Sequence, residues 1–320
     1  MSDFWSDIPG MSQRLSDVQR CMRDTLRTER FPLADAVEAL IDANGKMLRP
    51  AFLLMAGDFG KKKAALLELA AAVELLHVAT LIHDDVIDEA ATRRGRPTVH
   101  ARYSAKDAVL AGDWLFSRCF RLAAEASSPE NAKLLARLVG GICSAEIHQD
   151  LEKFVWSESV RNYLRKIAGK TALLFALAVQ AGARESKVPL RASATLSRIG
   201  YDVGMAFQII DDILDYESSE GAMRKPVGKD LCEGLCTLPL ILALRTNGQA
   251  IRPLLVSCRP DDDAVETVVK QVRDSGALDE SRSYARRYTE RALREVERLP
   301  KGPARDALRK LVSKLLDRRY

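Results

Sequence analysis

Two stretches of this 320-residue chain repeat one arrangement of acids. LIHDDVID (Leu81–Asp88) and IIDDILD (Ile209–Asp215) each carry a DDxxD triad inside apolar sequence. On a helix the outer acids, Asp84 with Asp88 and Asp211 with Asp215, fall at i and i+4 on one face, where like charges repel. Aspartate is a mediocre helix former, and the flanking Ile, Leu and Val imply half-buried carboxylates that are costly without a counter-charge. A divalent cation supplies one. Oxygen-only donors, without Cys or His at ligand spacing, suit Mg2+, which retains waters and shares its shell with substrate phosphate. One DDxxD is weak evidence, whereas two in matched apolar contexts are hard to read as accidental surface acids.

Metal held by carboxylates calls for a polyanionic ligand, and the chain has cations placed to grip one. Lys46 and Arg49 open an apolar segment after Gly45, and Arg93, Arg94 and Arg96 follow the first triad. Lys170 and Thr171 follow Gly169, and Lys225 and Lys229 follow the second triad. All lie beside turns or helix ends, where donors converge on phosphate. Neither GxxxxGK[ST] nor GxGxxG occurs, so a nucleotide P-loop or a Rossmann site has no support.

The elements that must position these groups read as helices. From Ala64 to Asp88 apolar residues recur at i, i+3 and i+4, and similar patterns run over Ser104–Ala126, Pro129–Phe154, Ser157–Ala181 and Arg191–Tyr216. Breaks are expected at Gly57–Gly60, Ser127–Glu130, Glu185–Pro189 and Arg259–Asp263. Strand signals are nearly absent, and no fixed-period repeat or long linker is visible. The pattern predicts one all-α domain over residues 1–320, a bundle of ten or more helices.

Composition agrees: 47% hydrophobic and 29% charged residues allow a buried core on a charged surface and exclude wholesale disorder. The best uncharged run, between Lys170 and Arg184, holds 13 residues, below the roughly 20 of a spanning helix, so no transmembrane segment is expected. Acids near the N-terminus argue against an export signal, and six scattered cysteines without CxxC spacing fit a reducing cytoplasm. The net charge of +5 is concentrated at the end: Ser281–Tyr320 holds 13 Lys/Arg against 5 Asp/Glu. Glu interleaved with Arg286, Arg287, Arg291, Arg294 and Arg298 makes this a solvated helix face rather than a nucleic-acid site.

The order of these blocks resembles that of the trans-type polyprenyl diphosphate synthases. The resemblance covers about Asn44 to Leu240: the Lys46–Pro50 block, the run from Glu74 through His77 to Asp88, the block from Arg93, Gly112 with Asp113, Lys170 with Thr171, and Phe207–Asp215. Within the family the chain is most similar to the catalytic subunits (component II) of heptaprenyl diphosphate synthases, including the stretch Tyr163–Thr171 and the run Val203–Asp215.

That resemblance implies an all-α isoprenoid synthase bundle around a deep central cavity, usually a homodimer, with a heterodimer containing a small regulatory subunit as the other assembly. Asp84, Asp85 and Asp88 would hold two Mg2+ on an allylic diphosphate; Asp211, with Asp212 and Asp215, would hold a third. No organic cofactor is implied. Arg93, Lys170, Thr171, Gln208 and Lys225 would face the allylic diphosphate, and Lys46, Arg49, His77 and Arg94 isopentenyl diphosphate. Two positions depart from the family: Arg224 stands where Gly usually precedes the lysine, and Leu235 where many relatives place a second lysine, which Lys229 is close enough to replace. His83, His100 and His148 are read as structural.

The implied chemistry is ionisation of the allylic C–O bond, attack by the double bond of isopentenyl diphosphate and proton loss to the released pyrophosphate, with apolar helices excluding water. The family places a chain-length stop five residues before the first aspartate. That residue here is Ala79, with Leu76 below it, so the floor is expected deeper, at Phe116 and Phe120. The expected product is long, heptaprenyl favoured within a hexaprenyl to octaprenyl range, for quinone side chains, with peripheral membrane contact at product release. A geranylgeranyl or farnesyl diphosphate synthase is the shorter-chain alternative. A class I terpene cyclase fits less well because the second motif repeats DDxxD, and a non-catalytic subunit should have eroded motifs.

Overall fold

The apolar stripe around Leu76 and Ile82 closes into a single helix, Ala65–Ile87, buried almost all the way round. Only neighbours on several sides produce such burial, and the helix packs on Ala105–Ala126, Leu48–Gly57 and Met11–Arg27. It is long enough and apolar enough to cross a membrane by length and composition. The sequence expectation of no such segment relied on uninterrupted runs, which Glu68 and Glu74 break. The helix's place at the centre of a helical core accounts for its apolarity without a bilayer.

A computed structural model describes residues 3–27, 33–43, 45–61, 65–93, 95–157, 159–217, 227–255 and 260–316. They are predominantly helical. Sequence-predicted helices appear as Ala65–Ile87, Ala105–Ala126, Pro129–Leu151 and Leu190–Glu217, within a few residues of the expected bounds. Their starts follow local chemistry: the Ser104 side chain accepts the Asp107 N–H at 3.0 Å, a cap typically contributing about 1 kcal/mol. The segment expected as one helix over Ser157–Ala181 instead divides into Val160–Ile167, a π-helical turn Ala168–Ala172, and Leu173–Glu185. The Leu173 N–H reaches back five residues to the Ala168 carbonyl, widening the backbone where Lys170 and Thr171 sit. A two-residue antiparallel ribbon, Thr92–Arg93 with Arg96–Pro97, follows the first acid triad.

The chain groups into two compact units. The first comprises Met1–Leu138, Phe175–Ser197 and Val296–Leu311, and the second Val139–Leu174, Arg198–Glu295 and Val312–Tyr320. The second has its own core, in which Tyr163, Ile167, Ile209, Ile213 and Tyr216 pack with Leu238, Ile241 and Val268. Ion pairs reinforce that unit: Arg291 holds Asp202, its Nε at 2.8 Å, and Arg198 Nη2 holds Glu295 at 2.7 Å.

Candidate active-site residues

In the first unit, Asp84, Asp85 and Asp88 occupy the last turn of Ala65–Ile87 and the residue after it. Asp84 and Asp88 are half-buried, as their i, i+4 spacing requires of a shared face. Asp85 turns inward, 2% exposed, and accepts a hydrogen bond from Arg93 Nε at 2.8 Å. Arg93, expected on the allylic diphosphate, is thus engaged by an acid eight residues earlier. The connection is held from both sides: Glu89 takes a left-handed φ of 50°, and the Thr98 and His100 side chains both bond the Ala90 carbonyl, at 2.8 and 3.0 Å. Arg94 lies outside the described residues.

His83, next to Asp84, packs where Gly112 has no side chain: a Cβ there would lie 2.1 Å from the imidazole Nε2. That nitrogen is 3.1 Å from the Val109 carbonyl, and the ring meets Phe116 edge-on at 5.3 Å. His83 therefore joins the acid-bearing helix to Ala105–Ala126, the structural role expected of it. Leu76 and Ala79 are fully buried, and the Cys119 sulfur is hydrogen-bonded to the Leu76 backbone. Phe116 is half-buried, whereas Phe120 is 38% exposed.

The expected isopentenyl diphosphate group begins at a bend. Met47 adopts φ 48° immediately before the helix Leu48–Gly57, and Trp5 Nε1 donates to the Lys46 carbonyl at 3.0 Å. Lys46 Nζ lies 4.7 Å from the centre of the Phe4 ring, and the Arg49 guanidinium 5.1 Å from that of Phe175. Arg49 Nε is buried with no hydrogen-bond partner among the described residues. Burial draws the guanidinium pKa down while Glu74 draws it up. A buried donor without an acceptor is suited to an arriving anion. His77 is half-buried on the helix that carries Glu74.

In the second unit, Lys170 and Thr171 lie on the π-helical turn. Lys170 Nζ pairs with Glu146 at 2.7 Å. Thr171 Oγ1 donates to Gln208 Oε1 at 2.8 Å, Gln208 Nε2 donates to Asp212 Oδ1 at 2.8 Å, and the Tyr163 hydroxyl donates to Asp212 Oδ2 at 2.6 Å. Asp211 is exposed, while Asp215 accepts the backbone N–H groups of Lys229 and Asp230 at 3.2 and 3.1 Å. Asp215 thereby caps the short helix Lys229–Cys232.

Burial pushes the Asp212 carboxyl up to about 7, with Asp211 and Asp215 adding to the effect and the bonds from Tyr163 and Gln208 opposing it. Asp230 is also held well above the usual carboxylate range, by burial first and then by Asp215, Asp212, Asp211 and Glu233. Asp230 and Tyr163 are the members that sequence reasoning missed. Asp230 follows Lys229, whose charge is the stronger signal for phosphate, and Tyr163 lies in the stretch Tyr163–Thr171 with no pattern that marks its hydroxyl. Lys229 Nζ itself pairs with Glu233 at 2.8 Å, and Leu235 is half-buried. Arg224 and Lys225 lie outside the described residues.

Asp211 and Asp215 raise the proton affinity of Asp212 and Asp230, so this end of the helix is an open set of oxygen donors whose repulsion a divalent cation would relieve. Among the described residues no three acids, histidines or cysteines converge into a cage able to hold an ion. Mg2+ fits such an open set, because it keeps several waters and takes the rest of its shell from phosphate.

Comparison with known proteins gives one consistent result. The polyprenyl synthetase family model matches residues 32–274. Heptaprenyl diphosphate synthase component 2 from Geobacillus stearothermophilus is 37% identical over 313 residues, covering 97% of each chain. The crystal structure of heptaprenyl diphosphate synthase from Staphylococcus aureus superposes with a TM-score of 0.92 at 31% identity, over 96% of this chain and 98% of the other. That of geranylgeranyl pyrophosphate synthase from Lactobacillus brevis also reaches 0.92, at 33% identity over 99% of each chain.

Proposed function

We propose a long-chain product for this chain, which belongs to the polyprenyl synthetase family and is a prenyltransferase. In this reading it adds isopentenyl diphosphate repeatedly to an allylic diphosphate such as farnesyl diphosphate and stops at heptaprenyl diphosphate, within a hexaprenyl to octaprenyl range. Near full-length similarity to proteins named heptaprenyl diphosphate synthase carries the reading.

The residues divide the work by charge. Lys170 leaves Glu146 to meet the allylic diphosphate, with Thr171 and Gln208 beside it, while Arg49, Lys46 and His77 hold the diphosphate of the homoallylic substrate. Mg2+, when bound, would supply the positive charge that lets pyrophosphate depart; Asp84 with Asp88, and separately Asp211 with Asp215, would be the carboxylate pairs that hold such ions. The allylic C–O bond breaks with its electron pair on pyrophosphate. The isopentenyl double bond then forms the new C–C bond, which moves the positive charge to the isopentenyl tertiary carbon, and pyrophosphate takes a proton from the adjacent carbon so that the C–H electron pair becomes the new double bond. The apolar side chains of Leu76 and Ala79 keep water from the cation meanwhile.

The test is to incubate the purified chain with farnesyl diphosphate, isopentenyl diphosphate and Mg2+ and to weigh the products by mass spectrometry. Heptaprenyl diphosphate is the expected main species; a product no longer than geranylgeranyl diphosphate overturns the long-chain reading. Assembly as a homodimer is proposed with it. The name component 2 borne by the relative favours a second reading, a heteromer. A chain inactive alone but active with a small regulatory subunit would establish it.

A further inference from the structure

The carboxylate of Asp212 is committed on both oxygens. Oδ2 receives the Tyr163 hydroxyl at 2.6 Å and Oδ1 receives Gln208 Nε2 at 2.8 Å. Thr171 fixes the sense of the Gln208 amide by donating to its oxygen at 2.8 Å, so the amide nitrogen faces Asp212. Asp212 is 5% exposed and Tyr163 2%, and the Tyr163 ring is packed in the core beside Ile167, Ile209 and Ile213. A buried phenol that finds an acceptor is held in position by its ring and its hydroxyl together.

Asp211 is exposed and Asp215 half-buried; Asp215 also receives a donor on each oxygen, but these are backbone N–H groups at 3.2 and 3.1 Å rather than side chains packed in the core. Asp211 and Asp215 are four residues apart and share a helix face, whereas Asp212 is rotated from Asp211 by about 100° on an ideal helix. A carboxylate already holding two neutral donors in the core has no oxygen pair to turn outward without breaking a buried hydrogen bond.

We propose that Tyr163 is a positioning residue for the second aspartate motif: by anchoring Asp212 it fixes the helix rotation that presents Asp211 and Asp215 to Mg2+, and Asp212 is the anchor rather than a ligand. The inference rests on the prenyltransferase reading above. It adds a residue outside the DDxxD motif and divides the motif into two ligands and one anchor. Outer partners that orient metal ligands characteristically govern affinity in this way, without contacting the metal.

The decisive variant is Tyr163→Phe, which keeps the ring and removes the hydroxyl. The first readout is the rise in melting temperature that Mg2+ with inorganic pyrophosphate produces over the metal-free protein; the second is the Mg2+ concentration for half-maximal turnover. The expected result is a smaller melting-temperature increment and a half-saturating Mg2+ raised roughly tenfold, the usual lower bound for losing such a partner. KM for isopentenyl diphosphate should stay within about twofold of wild type, which a general loosening of the fold would not allow.

Asp212→Asn keeps an acceptor in the core, removes the charge and should retain most of the Mg2+ and pyrophosphate increment, whereas Asp211→Asn should lose it. A Tyr163→Phe protein with unchanged Mg2+ dependence overturns the inference. An Asp212→Asn protein as defective in the increment as Asp211→Asn does so too, and decides the matter should Tyr163→Phe fail to fold. Wild-type protein with no increment at all overturns the metal reading and this inference with it.

Discussion

Arg93 Nε stands 2.8 Å from Oδ1 of Asp85, which is 2% exposed while the arginine remains partly in solvent. The middle acid of the first motif therefore faces a cation supplied by the chain itself. Arg93→Gln should remove the cation beside a buried carboxylate and lower stability by about 2–3 kcal/mol, less than a fully buried pair because the arginine is partly hydrated. The double variant Arg93→Gln with Asp85→Asn should recover most of that loss. Urea denaturation of the four proteins measures the coupling, and additive single effects would refute it.

Asp84→Ala and Asp211→Ala are each expected to reduce turnover by at least about 100-fold while leaving the helical circular dichroism unchanged. Removing one acid of an i, i+4 pair relieves repulsion of about 0.2–0.5 kcal/mol, so the metal-free variants should melt no lower than wild type. Near-normal rates in both variants would remove these acids from the metal site.

The two diphosphates should be separable in kinetics. Lys46→Ala and His77→Ala are expected to raise KM for isopentenyl diphosphate more than for the allylic substrate, and Lys170→Ala the reverse, each by roughly tenfold as befits one lost charge-assisted bond. Equal effects on both substrates in all three variants would contradict the division.

Product length should respond to Ala79. Ala79→Tyr is expected to shorten the product toward geranylgeranyl diphosphate and, because Ala79 is fully buried, to cost about 1–3 kcal/mol of stability through overpacking. Phe116→Ala should lengthen it. Phe120→Ala should do so less, since that ring is 38% exposed. An unchanged product distribution from Ala79→Tyr would show that this wall does not limit growth.

Asp202 offers a pH test away from the metal residues. Burial holds its carboxyl above the usual range despite Arg291, with Glu295 also raising it and Arg198 lowering it. Arg291 itself is raised, chiefly by its hydrogen bond to Asp202. The pair is thus attractive, yet burial of the carboxylate outweighs it. A carboxyl with a raised folded pKa contributes stability that is complete below its unfolded value, about 3.9, and is lost as pH climbs through the folded value. Wild type should therefore lose stability relative to Asp202→Asn across that interval, as chemical denaturation at several pH values would show. A difference independent of pH would mean that the Arg291 attraction cancels the burial.

Much of this was legible in the sequence because it rests on period and composition. The stripe through Leu76 and Ile82 announced its helix, and the spacing of Asp84 with Asp88 and of Asp211 with Asp215 put paired acids on common faces. The unforeseen features depend on hydrogen bonds between distant residues. Nothing in the composition of Ala168–Ala172 distinguishes a π-helical turn from an α-helical one, since the same residues suit both. Nor does an isolated acid such as Asp230 advertise that Asp215 will accept its backbone N–H. Tyr163 stands in the stretch shared with the family, and nothing in the sequence pairs its hydroxyl with an acid 49 residues later.

Gly112 and His83 carry an implication for motion. Packed helices commonly accommodate ligands by sliding a little along one another. Between Ala65–Ile87 and Ala105–Ala126 that route is obstructed, because the imidazole sits over Gly112 with the Val109 carbonyl and the Phe116 ring to either side along the helix. The helix bearing the first acids is keyed against axial travel along that neighbour, so the two would shift as one body. In mechanical terms Asp84 and Asp88 ride on a locked pair of helices, not on a slider.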